Sequence, residues 1–169
     1  FYWLNLGVGE KIFIFGTFSA LFFILIGLIN LMFPDEKPAY ETLTIGLSLL
    51  AGFLIFRNNL GIFPAFLLSF IIFFPIFLEN LKIEGLKRKN LLITSGISAL
   101  IISETAFLGL FLPLNPLGYG VVVSLAYLTL KNLLKHKISG HLNPRTALEQ
   151  VAIFIIFVTI ILSLANWSV

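Results

Sequence analysis

Glu104 is the side chain in this sequence whose type and setting most invite chemistry. It lies within the run 91–112, LLITSGISALIISETAFLGLFL, and no other carboxylate sits well inside a hydrophobic stretch. About 20 apolar residues span a bilayer as a helix, so this acid is expected at membrane depth. An acid kept there at a cost serves proton or cation coupling, contacts a ligand, or hydrogen-bonds as a neutral acid to a backbone carbonyl or a serine. Ser103 and Thr105 flank it with hydroxyls, and Arg57 is the cation expected toward the same side of the membrane. Glu104 stands eight residues, roughly 12 Å at 1.5 Å per residue, below the end of its run.

A second group of residues is basic. Lys87, Arg88 and Lys89 are consecutive, and Lys135 and Lys137 stand close together further on. Such clusters beside apolar helices contact anionic lipid or a protein partner. His136 and His141 lie on the same linker without a neighbouring acid or cysteine, which suits solvated histidines better than a metal site. Arg145 and Glu149 have the i, i+4 spacing of a helical ion pair. The constellations of common enzymes are missing. Asp35 is the only aspartate, no histidine falls within an apolar run, cysteine is absent, and neither HExxH nor a Walker A sequence occurs. The chain is therefore read as a non-enzyme that calls for no metal and no cofactor.

Composition sets the class. Hydrophobic residues make up 59% of the 169 and charged residues 11%, against roughly 25% charged in soluble domains. Mean hydropathy is +1.04. These values exclude a water-soluble fold. The net charge of +3 is read as membrane topology, because basic residues gather in loops that stay cytoplasmic, and not as a nucleic-acid surface. The chain begins at Phe1 rather than Met, which is read as upstream processing or a fragment.

The expected fold is all-α, a single polytopic integral membrane helical bundle over 1–169. Six transmembrane helices are predicted, at 12–33, 40–56, 60–78, 91–112, 117–130 and 147–165. Phe1, Tyr2 and Trp3 precede them and Trp167 follows, as aromatic residues do at headgroup level. The span at 117–130 is short, and the linker after it, 131–145, alternates leucines with Lys131, Lys135 and Lys137 as a helix lying on the membrane surface would. Gly140 interrupts that linker. Asn143 followed by Pro144 is a helix start, a capping residue with proline in the first turn.

Six crossings put the linkers after spans one, three and five on one side. Of the 11 Lys and Arg residues, all but Lys11 and Arg57 fall on that side. The asymmetry places the basic linkers in the cytoplasm and both termini outside it, in the cell membrane. It holds only if the short fifth span crosses.

Small residues recur every four positions: Thr44, Ser48, Gly52; Gly61, Ala65, Ser69; Ser95, Ala99, Ser103; Gly120, Ser124. In lipid, such stripes let helix backbones approach closely, and they are read as packing within the chain. At 100° per residue, Thr94, Ser95, Ser98, Ala99, Thr105, Ala106 and Gly109 form one arc of the run at 91–112. Glu104 lies opposite, among Ile93, Ile97, Leu100, Ile101, Leu108 and Phe111. The small arc is expected to face neighbouring helices. Glu104 then faces lipid, another subunit or an apolar cavity.

Two functions follow. The first is a small transporter or permease subunit with Glu104 as the polar contact of its cavity. The alternative is a non-catalytic membrane scaffold or assembly subunit that binds a partner or anionic lipid through its basic cytoplasmic linkers. Membrane lipids are the expected surroundings in either case, with a protein partner or a homo-oligomer as further company.

Overall fold

The computed structural model describes residues 37–58 and 61–165. Its elements are α1 Lys37–Arg57, α2 Ile62–Ile83, α3 Arg88–Gly109, α4 Pro116–Ile138 and α5 Pro144–Ser163, and no strand occurs among the described residues. All five are long and apolar enough to cross a membrane, compatible with a membrane-embedded protein. The sixth expected span, 12–33, lies outside the described residues, as do the aromatic cluster at 1–3, Lys11 and Trp167. The chain falls into two compact units, 1–47 and 48–169, each described by itself.

The helices outrun the apolar runs that predict them. α2 continues past residue 78 through Glu79 and Lys82, which pair across one turn at 3.4 Å. α3 starts at Arg88, ahead of the predicted 91, and ends at Gly109, three residues before the predicted 112. The largest correction is α4. It extends to Ile138, so Lys131, Lys135, His136 and Lys137 are its last turns and not a separate surface helix. Charge ends a hydrophobic run without ending a helix, because Lys and Leu are both good helix formers. The chain stops only where the backbone must turn, at Gly140 with φ +71°. With 23 residues, α4 is also long enough to cross, the condition on which the charge asymmetry depends.

Helix starts follow capping chemistry. Asn115 and Asn143 each precede a proline and accept a backbone N–H, from Gly118 at 2.6 Å and from Thr146 at 2.7 Å. Pro38, read in the sequence as part of the stop after the first span, sits in the opening turn of α1 instead.

In the unit 1–47, the Thr44 hydroxyl donates to the Glu41 carbonyl one turn back, at 2.9 Å. In the unit 48–169, α2 packs along α3, α3 against α4, and α4 against α5. The end of α1 meets α4 through glycine. A Cβ on Gly52 would stand 2.8 Å from Gly120 Cα, and one on Gly120 would stand 2.8 Å from the Leu49 carbonyl oxygen. One turn away, the buried Ser48 hydroxyl donates to Ser124 at 3.0 Å. Ser48 and Gly52 thus face Ser124 and Gly120, so these two pairs of small residues serve packing within the chain. α5 buries none of its residues and leaves Leu148, Ile155 and Ile156 outward.

Tyr119, fully buried, closes the end of α3. The last turn of α3 tightens, with Leu110 N–H donating to Phe107 O, and the Tyr119 hydroxyl donates to Ala106 O at 2.6 Å. The tyrosine thereby satisfies a carbonyl at a helix terminus, where such groups lack intrahelical partners. Gly109 makes room for its ring, since a Cβ there would lie 2.9 Å from Tyr119 Cε2. Tyr119→Phe is expected to cost about 1–3 kcal/mol of folding stability, the range for leaving a buried polar group unpaired. Unfolding of the purified protein in mixed micelles measures it.

Candidate functional site

Glu104 sits on the outer face of α3. Ser95, Ser98, Ala99, Ile102, Ser103, Ala106 and Gly109 are buried, whereas Glu104 is exposed with Ile93, Ile97, Leu100, Ile101, Leu108 and Phe111. The two arcs expected from the sequence are therefore the buried and outward faces, except that Thr94 and Thr105 lie at the boundary.

The residues grouped with Glu104 in the sequence are not brought to it. Ser103 is buried and donates to Ala99 O at 2.8 Å. Thr105 donates to Ile101 O at 2.9 Å. Arg57 is exposed at the end of α1, its guanidinium carbon 5.8 Å from the centroid of the Phe53 ring. Phe56, beside Arg57, packs on Tyr119 with centroids 5.0 Å apart, and Tyr119 bonds Ala106. Arg57 and Glu104 therefore share an end of the unit, yet no ion pair joins them, and Glu104 has no hydrogen-bond partner among the described residues.

The opposite end of the unit is basic. α2 and α4 both run antiparallel to α3, so the short turns α2–α3 and α4–α5 emerge together. Lys87, Arg88 and Lys89 are exposed at the first turn, and Lys135, Lys137 and Arg145 at the second, with His136 half-buried and His141 exposed. Arg145 pairs with Glu149 at 3.1 Å, as its spacing predicts. Lys87, Arg88, Lys89 and Lys137 have no acid partner among the described residues. Arg88 and Lys89 also occupy the first turn of α3, where the helix dipole disfavours cations by about 0.3–1 kcal/mol each. Helix stability does not account for their placement.

Beneath this end lies a buried polar cluster that the sequence reading passed over. The Asn80 amide donates to the Tyr127 hydroxyl at 2.7 Å and to Ile76 O at 2.8 Å. Tyr127 is fully buried, with Phe77 and Phe73 at centroid distances of 5.3 and 6.0 Å. Lys131, one turn beyond Tyr127, is buried too. Asn80 looks from sequence like part of a polar linker, and Lys131 like the start of another. The available signal is the i, i+4 spacing of Tyr127 and Lys131, legible only once the helix is known to run through both.

No curated protein and no solved structure matches the chain. A family model described as a protein of unknown function, DUF5656, matches residues 38–164. That match runs from the start of α1 to the last turn of α5, and the chain belongs to the DUF5656 family.

Proposed function

We propose that this chain is a non-catalytic membrane scaffold or assembly subunit whose basic end holds an anionic lipid surface. The observation that carries the reading is the emergence of both basic turns at one end of the unit 48–169. Lys87, Arg88 and Lys89 at one turn and Lys135 and Lys137 at the other present cations at the level where headgroups lie. The unfavourable position of Arg88 and Lys89 on the α3 dipole adds support, because an anion there offsets both charges and dipole. By the preference of basic loops for the cytoplasm, this end is cytoplasmic in the cell membrane and both termini are outside it.

The test is lipid preference. Phosphatidylglycerol is expected to stabilise the detergent-solubilised protein against heat more than phosphatidylcholine does. Replacing Lys87, Arg88 and Lys89 together with glutamine should abolish most of that difference. Each cation near an anionic surface contributes about 1 kcal/mol, roughly fivefold in affinity. An unchanged preference would leave the triad with a topological role alone and overturn the lipid reading. The transport reading draws no support from the position of Glu104, since an exposed face of α3 is not an enclosed cavity. It would regain ground if Glu104→Gln abolished uptake of a solute while the fold survived.

A further inference from the structure

We propose that two copies of this chain pair through the outward seam of α3, with their Glu104 carboxyls bonded to each other across a two-fold axis. The surface is separate from the basic end and does not depend on its lipid chemistry.

Three observations converge on it. The first is spacing. Ile93, Ile97, Leu100, Glu104 and Phe107 follow one another along α3 at alternating steps of four and three residues, the 3.5-residue repeat of a left-handed helix pair, and Phe111 continues the spacing in the turn just past the helix end. Five of these six are exposed, Ile93 by 62%, Ile97 by 58%, Leu100 by 42% and Phe111 by 63%, with Glu104 among them. Phe107 is half-buried and sets its ring edge-on to Phe111 at 5.3 Å. Large apolar side chains thus continue the seam on both sides of one polar residue. A single polar residue in such a seam fixes register and partner number.

The second is hydrogen bonding. Outward hydroxyls on the spanning faces satisfy themselves, Thr105 to Ile101 O and Thr159 to Ile155 O. Glu104 has no such bond among the described residues, and a carboxyl left unbonded in hydrocarbon is costly. It lies five residues, about 7.5 Å along the axis, from the end of α3 at Gly109, with Leu108 outward between it and that end and Phe111 outward just past it.

The third is self-complementarity. A neutral carboxyl carries one O–H donor and free acceptor capacity, so two of them satisfy each other with no further residue. A two-fold axis along the membrane normal sets the same seam position of each α3 against its copy, as an isologous interface requires.

The absence of native cysteine makes the test direct. In native membranes, Ile97→Cys and Leu100→Cys are expected to form disulfide-linked dimers under mild oxidation. Ile155→Cys on α5, 55% exposed, should stay monomeric. In a reversible lipid dilution series, Glu104→Leu should weaken the dimer by roughly five- to thirtyfold, the scale of an interhelical hydrogen bond in peptides. Glu104→Gln, whose amide also donates and accepts, should keep it. Cross-linking absent at residues 97 and 100, or equally strong at residue 155, would overturn the seam, meaning that lipid, another protein or another segment of this chain covers it. Cross-linking at 97 and 100 with an unweakened Glu104→Leu dimer would overturn the carboxyl pair.

Discussion

Gly120→Ala is expected to destabilise the protein, although alanine is the better helix former. Exchanging glycine for alanine inside a helix gains about 1 kcal/mol of intrinsic propensity. Against that, the new methyl would stand 2.8 Å from Leu49 O and 3.0 Å from Phe53 N, backbone atoms that cannot rotate aside. The two helices must separate, and overpacking of this kind costs about 1–3 kcal/mol. The clash therefore wins or cancels the gain, and Gly120→Leu should exceed both. Gly96→Ala is the control. Its methyl would meet Phe74 at 3.9 Å, ordinary contact, so the propensity gain should survive and the variant be neutral or more stable. Equilibrium unfolding in mixed micelles of the three variants measures the ordering, and Gly120→Ala more stable than Gly96→Ala would show that the α1–α4 contact is looser than described. Gly52→Ala and Gly120→Ala should not add, because both push apart the same pair of backbones.

Tyr127→Ala should be the most damaging single truncation in the unit 48–169. It removes roughly 100 Å³ of side chain, and at about 24 cal/mol per Å³ of residual cavity the loss approaches 2.5 kcal/mol. In lipid the cost is lost packing and not exposure to water, since hydrocarbon tails are as apolar as the ring they replace. The polar end adds to it. Asn80, buried and bonded to Tyr127 at 2.7 Å, keeps Ile76 O but loses the tyrosine oxygen. Tyr127→Phe isolates that second part at about 1–3 kcal/mol. Comparison of the two variants in the same unfolding assay separates ring from hydroxyl. If Tyr127→Phe matched the parent, the Asn80 bond would carry no net stability.

Glu104 and Asn80 show how far the linear sequence reaches. The sequence by itself determined the membrane class, through a charged fraction of 11%, and the two faces of α3, because 100° per residue separates Ser95, Ala99 and Ser103 from Ile97, Leu100 and Glu104. Such patterns are local, set by the helix repeat alone. It also marked the start of α5, where Asn143 and Pro144 cap the backbone within a few residues. The small stripes were legible as stripes.

Only the tertiary structure decided that Gly52 and Ser48 face Gly120 and Ser124, since many pairings of such stripes are sterically open and the choice depends on register between segments some seventy residues apart. It decided likewise that Glu104 has no Arg57 beside it, for the end of α1 is directed by its contact with α4 and not by charge. The lengths of α2 and α4 escaped the sequence for a different reason. Hydropathy reports where a chain prefers lipid, whereas a helix ends where its backbone must turn, so Asn80 and Lys131, polar in sequence, lie on helices that carry them into the interior.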